Sequence, residues 1–245
     1  MHKVPVVFVA SLLVACANAY EVPYAKGQPP TIDGKIDPML WDAAMWRPID
    51  QVMIGDSPAA EDFSGRFKLL WREDALFLLA ELQDDVLIDA RPDPLVAYWD
   101  DDALEIFVDA DGETGPHQND FRAFAYHVAL DNQSVDIAPD GPAVFPDHVE
   151  SYWQRRNGDD NRIVWEAKIR IATHDGSGRE LTGFRQLHNG ETIRFMLAYC
   201  DADDPNGRQH FMGDQDITPI DGDKNLGYKT SDVFGSITLT KPTAH

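Results

Sequence analysis

The sequence predicts an all-β fold: an antiparallel β-sandwich of jelly-roll or immunoglobulin-like type with short helical turns. Three observations predict it. Apolar residues recur with period two in several separate segments. The segments between them are rich in Asp, Gly, Asn and Pro. No long stretch of 3.6-residue periodicity alternates with strands, as a parallel α/β fold would require.

The chain opens with a leader. Lys3 supplies a small positive charge, residues 4–13 are apolar, and Ala17-Asn18-Ala19 is a small-x-small cleavage site. Residues 1–19 therefore read as a secretory signal peptide, too short for a stable membrane span. A second processing point is Leu13-Val14-Ala15-Cys16, which resembles a lipobox and would anchor the protein through Cys16. Cleavage after Ala19 is preferred, because little tether separates Cys16 from the fold. Either way the expectation is an exported protein, periplasmic or extracellular. Residues 20–28 form a lead, 29–241 the sandwich and 242–245 a tail. No later run reaches the ~20 apolar residues of a membrane span.

The elements follow in order. Gln28-Pro29-Pro30-Thr31-Ile32-Asp33-Gly34 is a turn-rich opening loop. Short helical turns are expected near 38–45 and 178–187. Residues 66–71 and 75–82 are apolar runs split by Arg72-Glu73-Asp74, a hairpin signal. In residues 103–108, Leu104, Ile106 and Val108 share one face and Glu105 and Phe107 the other. In 121–130, Phe124, Tyr126 and Val128 oppose Ala123, Ala125 and His127. In 162–171, Ile163, Trp165, Ala167, Ile169 and Ile171 face inward while Arg162, Glu166, Lys168 and Arg170 face out. Residues 192–200 place Ile193, Phe195, Leu197 and Tyr199 together, and a last strand covers roughly 234–240. Trp41, Trp71 and Trp165 sit in apolar patterns and are assigned to the core.

Composition narrows the function. There are 42 Asp plus Glu against 21 Lys plus Arg, a formal net charge of −21. Nucleic acid and anionic membrane are poor partners for such a chain, since phosphate binding needs clustered cations. A neutral ligand or a cation suits it. The mature chain keeps at most Cys16 and Cys200 with no internal disulfide expected, so the core alone must hold the fold. No nucleophile elbow, His-x-x-x-His pair, Cys-x-x-Cys or phosphate loop is present, so no catalytic residue is assigned and the chain is not expected to be an enzyme.

The aromatic residues carry more information. Sugars present apolar C–H faces on which flat rings stack, so a sugar site wants one or two exposed aromatics beside fixed polar groups. Trp99 stands beside Tyr98 and Asp100-Asp101-Asp102 just before a strand, and Tyr228 lies in the polar loop Asn225-Leu226-Gly227-Tyr228-Lys229.

Several motifs together resemble the family-nine carbohydrate-binding modules. They are Pro30-Thr31-Ile32-Asp33-Gly34-Lys35-Ile36-Asp37 followed by Leu40-Trp41, and the hairpin from Leu70-Trp71 to Glu81. The most distinctive is Trp99-Asp100-Asp101-Asp102-Ala103-Leu104-Glu105-Ile106-Phe107-Val108-Asp109, and the closing strand is Phe234-Gly235-Ser236-Ile237-Thr238-Leu239. The resemblance spans roughly residues 29–241 and implies a non-catalytic sandwich that binds oligo- or polysaccharide. It implies that Trp99 and Tyr228 hold a sugar ring between them. Polar contacts would come from Glu105, Asn225, His127 and Arg208. Two departures thin the implied site: Ala125 stands where the family has an arginine, which Arg122 would have to replace, and Ala198 where it has a glutamine. The resemblance also implies a structural Ca²⁺. Asp109-Ala110-Asp111-Gly112-Glu113 offers alternate carboxylates at Asp109 and Asp111, and Asp201-Ala202-Asp203-Asp204-Pro205-Asn206 is a second oxygen-rich segment.

Two other functions fit an exported sandwich. One is a b-type haem electron carrier, for which His127, His210, Met196 and Met212 are the available axial ligands. The other is a glycoside hydrolase, which needs two carboxylates held at a defined separation.

Overall fold

The structure, a computed structural model, describes residues 20–242 except 110 and 157. The leader and Cys16 lie outside the described residues. In chain order the elements are β1 (Tyr20–Pro23), α1 (Pro38–Trp41), β2 (Arg47–Ile49), β3 (Gln51–Ile54), β4 (Phe63–Arg72), β5 (Ala75–Asp84), β6 (Ala103–Asp109), β7 (Phe124–Ala129), β8 (Ser134–Ala138), β9 (Gly141–Val144), β10 (Val149–Arg156), β11 (Asp159–Ile169), β12 (Ala172–His174), β13 (Leu181–Phe184), β14 (Thr192–Asp201), β15 (His210–Gly213) and β16 (Gly235–Thr240).

All the strands but β12 and β13, which pair with each other alone, form two stacked sheets. The larger runs β1-β16-β14-β6-β7-β8-β9, with β15 added to β14 and β3 to β15. The smaller runs β10-β11-β5-β4-β2. Among the described strands, β1 pairs with β16 in parallel and the other strand pairs are antiparallel. The main core lies between the sheets and takes the predicted faces: Leu104, Ile106 and Val108, then Phe124, Tyr126 and Val128, then Phe195, Leu197 and Tyr199 from the larger sheet. Leu69, Trp71, Ile163, Trp165, Ala167 and Ile169 answer from the smaller one. Side chains alternate along a strand, so one inward residue in two suffices to fill this layer. Each fully buried Leu, Ile or Phe contributes about 1.5–3 kcal/mol relative to its exposed state. Such a core needs no cross-link, and Cys200 is a buried free thiol.

The outer faces are covered too. Beyond the smaller sheet, residues 25–46 cross as a strap and enclose a second cluster, with Trp41 and Ala44 against Leu70, Phe77, Leu79 and Val164. The strap carries α1, started by Asp37, whose carboxylate accepts the Met39 N–H, and by a proline in the first turn. It also overturns the expectation that Glu166 faces solvent. Glu166 is on the outer face, but only 1% exposed, because its Oε2 accepts the backbone N–H groups of Asp33 (3.2 Å) and Gly34 (2.8 Å). Gly34 has φ +74°, and a Cβ there would lie 2.9 Å from the Tyr152 ring, so only glycine lets the strap approach this closely.

A second expectation also fails. Residues 178–187 form no helical turn; β13 pairs with β12 as a hairpin. Gly176 and Gly178 sit at φ +79° and +73°, and Asp175 accepts the N–H groups of Arg179 and Glu180, which closes a turn where a helix would have begun.

Candidate functional site

The outer face of the larger sheet carries the alternate residues of β6, β7 and β14. Glu105 pairs with Ala198 on one side and His127 on the other, and Phe107 pairs with Met196 and Ala125. Phe107, Ala123, Ala125, Met196, Ala198 and Cys200 form an apolar floor. Set into it is a buried polar cluster centred on Glu105 Oε1. That atom meets His127 Nδ1 (3.3 Å), accepts from Cys200 Sγ (3.2 Å) and accepts from Arg208 Nη1 (3.4 Å). Arg208 also donates to Cys200 Sγ (2.9 Å) and lies over the Phe211 ring. Burial pushes the Glu105 carboxyl up. The hydrogen bond and charge of His127, the charge of Arg208 and the Cys200 contact outweigh it, so the group lies below its ordinary value. Burial raises the Cys200 thiol well above its usual range, so it is protonated and donates. The Nε2 of His127 is buried without a partner.

Loops build walls on this floor. Trp99 lies on a single 3-10 turn, Tyr98–Asp100, entered through Ala97 at φ +51°. It is 43% exposed, packed edge-on against Tyr98, which in turn packs edge-on against His127. The three acids after Trp99 anchor the turn. Asp100 pairs with Arg91 (3.2 Å), Asp101 accepts the Arg91 N–H (2.7 Å), and Asp102 accepts the N–H groups of Ile88 and Ala202. On the other side, the loop Asn225–Tyr228 is pressed onto the floor at Gly227. A Cβ there would come within 2.6 Å of Phe107 and 2.7 Å of Met196. His117 Nε2 holds the Gly227 carbonyl at 2.8 Å.

The result is a cleft of about 360 Å³. Trp99, Glu105, His127, Asn225, Tyr228 and Arg208, drawn from distant parts of the sequence, all line it. So do Tyr98, Gln118, Asp136 and Ile137, which the sequence reading did not single out. Ala125 also lines the cleft, but Arg122 does not take its arginine's place. Arg122 pairs with Asp120 (3.6 Å) and lines a different cavity with Asp111 and His174. Its three-residue offset puts it before β7, away from the outer face.

The family described as "Carbohydrate family 9 binding domain-like" matches residues 32–242, most of the chain. The chain belongs to that family. Family-nine resemblance extends to curated relatives: endo-1,4-beta-xylanase C of Paenibacillus barcinonensis is 32% identical over 106 residues, and endo-1,4-beta-xylanase A of Thermotoga neapolitana 30% over 101 residues. The matches take in 43% and 41% of this chain but only 9% of either xylanase. Among solved structures, a family-nine carbohydrate-binding module from Caldicellulosiruptor kristjanssonii in complex with cellotriose aligns with TM-score 0.65 at 21% identity, covering 92% of this chain and 95% of that one. The same module with glucose gives 0.65 at 20%, covering 92% and 98%. These alignments establish the family-nine β-sandwich fold.

Potential metal ligands gather in the cleft, at Glu105, His127 and Cys200, and at other points. Asp109 accepts the Gly112 N–H, and Asp111 accepts the Glu113 N–H and meets His174 Nε2 at 3.3 Å. Asp84, Asp102 and Asp201 offer a fuller donor set: one ligand oxygen from each lies within 4.8 Å of the others, and all three are buried. They meet where the end of β5 faces the start of β6 and the end of β14. Tyr199 donates to Asp84 Oδ2 (2.6 Å), while Asp84 Oδ1 and Asp201 Oδ2 have no partner. Burial, then the repulsion of Asp84, pushes Asp102 up to about 9, and burial with neighbouring carboxylates pushes Asp201 to about 8. Hard oxygen donors with unsatisfied charge are the chemistry of a Ca²⁺ site, so these residues fit the ion the family implies.

The haem candidates are scattered. His127 lines the cleft, and His210 meets the Asp56 carbonyl and Asp62. Met196 lies under the cleft and Met212 between the sheets. Among the described residues no helix is long and apolar enough to cross a membrane.

Proposed function

We propose that this family-nine chain is an exported, non-catalytic carbohydrate-binding protein. A sugar ring sits between Trp99 and Tyr228, with Glu105, His127, Asn225 and Arg208 reading its hydroxyls. One observation carries the reading: two aromatic side chains and a pre-ordered, buried set of hydrogen-bonding groups converge on a single cleft of sugar size. Pre-ordering matters, because a ligand then need not pay to organise the groups it meets. His127 Nε2 adds a buried polar atom still without a partner, suited to a ligand hydroxyl. Cellotriose and glucose occupy structures of the same fold, which favours a β-glucan or its glucose end as first ligands to try. Export rests on the leader at 1–19, with anchoring at Cys16 as the variant form.

We propose in addition that a structural Ca²⁺ is held by Asp84, Asp102 and Asp201, a fuller set than Asp109 and Asp111 provide. The ion would neutralise the carboxylates and tie the end of one sheet to the other.

Affinity electrophoresis and calorimetry with cellobiose and soluble glucans test the binding. W99A and Y228A are each expected to weaken retention by about thirtyfold, the scale of a buried aromatic anchor. Unchanged retention in both, with the fold intact by circular dichroism, overturns the site. Release of reducing sugar that depends on one carboxylate overturns the non-catalytic assignment.

A further inference from the structure

The cleft contains two carboxylates, and they are provided for unequally. Glu105 has Arg208 at 3.4 Å and His127 at 3.3 Å. Asp136 stands on β8, one residue beyond the cross-strand neighbour of His127. It is 7% exposed, and its oxygens accept only backbone N–H groups, from Ala125 (3.0 Å) and Ile137 (2.7 Å). Among the described residues it enters no ion pair. The charge that acts on it is that of Glu105, which is repulsive. A buried charge without a counter-charge is unfavourable, and Ala125, beside it in the same cleft, contributes only a methyl group. Burial, with Glu105 adding to it, lifts the Asp136 carboxyl to about 7 against the lowering effect of the two N–H groups. When Asp136 is ionised, the cleft is one positive charge short. Its aromatic walls, Trp99 and Tyr228, accept either the C–H face of a sugar or a cation.

We infer that Asp136 determines specificity: the cleft takes a sugar bearing a free amino group, a hexosamine unit, ahead of the neutral sugar with the same ring. This rests on the sugar-binding reading of the cleft. The ligand's ammonium would pair with Asp136 beside Ala125, while its ring lies between the aromatics. The acidity of the whole chain assists the approach of such a ligand without selecting it, since exposed charges beyond about 8 Å are screened at physiological salt.

Isothermal titration of the full mature chain with three disaccharides decides it: the glucosamine dimer, its N-acetylated form and cellobiose, at about pH 7 and about 0.15 M salt. The readout is the ratio of affinities. The dimer with free amines is expected to bind at least about tenfold tighter than cellobiose, and acetylation should remove the advantage. D136N is expected to bring the ratio to within about twofold. A125R, which places a cation in the cleft, should do the same and serves if D136N fails to fold. Cellobiose binding as tightly as the amine, or a preference that survives in the folded variants, overturns the inference and leaves the sugar site standing. If none of the three binds the wild-type chain, both the inference and the sugar reading fall.

Discussion

Two buried polar clusters grow from the same strands, and they are neutralised in opposite ways. Cys200 and Asp201 are neighbours on β14, and Asp102 and Glu105 flank the start of β6. Glu105 and Cys200 meet Arg208 on the outer face of the larger sheet, where the guanidinium lies 3.4 Å from the carboxylate. Asp102 and Asp201 meet Asp84 at the sheet end, and the charges acting on them are those of other carboxylates. The first cluster carries its own cation and is pre-ordered beside an open cleft. The second must take up protons or a metal ion. The same alternation that builds a binding floor thus delivers, one residue along, a site for an ion.

The largest way to break this comparison is to remove the cation's partner. E105A leaves Arg208 buried without its carboxylate and is expected to cost about 3–5 kcal/mol, read as a drop in urea midpoint. A loss under about 1 kcal/mol would mean that Arg208 swings to solvent and the cluster is not a closed unit.

Next comes the ion. Ca²⁺ at a hundredfold its dissociation constant should add about 2.7 kcal/mol of stability, reversed by chelation, which for a chain of this size raises the melting temperature by about 5–10 °C. In chelator the pH dependence has a definite sign. The folded carboxyls of Asp102 and Asp201 titrate near 9 and 8, above the ordinary aspartate value of 3.8. The folded state therefore binds more protons, and stability is full below about pH 4 and lost as pH rises through 8 and 9. Ca²⁺ should stabilise more at pH 8 than at pH 5. Equal effects at both would place the ion elsewhere.

The smallest effect sharpens the second cluster. Y199F removes the donor to Asp84 Oδ2 and is expected to cost about 1–2 kcal/mol in chelator, with less loss when Ca²⁺ is present. Thermal melts of both variants with and without the ion give the difference.

Much of the cleft was legible in the sequence for a simple reason. Glu105 and His127 alternate with core residues, so the pattern that named Leu104, Ile106, Tyr126 and Val128 as inward also placed these two outward. Trp99, Asn225 and Tyr228 lay in polar loops beside strands. Asp136 was missed because its value lies in its carboxylate accepting the Ala125 N–H from the neighbouring strand, a contact invisible in a five-residue strand. Glu166 was misjudged because period two tells which face a residue takes and not whether that face is covered.

The sequence by itself determined the sandwich, its inward residues and the leader expectation, since these depend on local alternation and composition. Only the tertiary structure decided which outward faces meet solvent. It buried Glu166 beneath the strap, made the cleft from loops more than a hundred residues apart, and gathered Asp84, Asp102 and Asp201 from three strand ends. The physical reason is that burial and charge pairing belong to groups brought together by folding, and no single segment carries both partners.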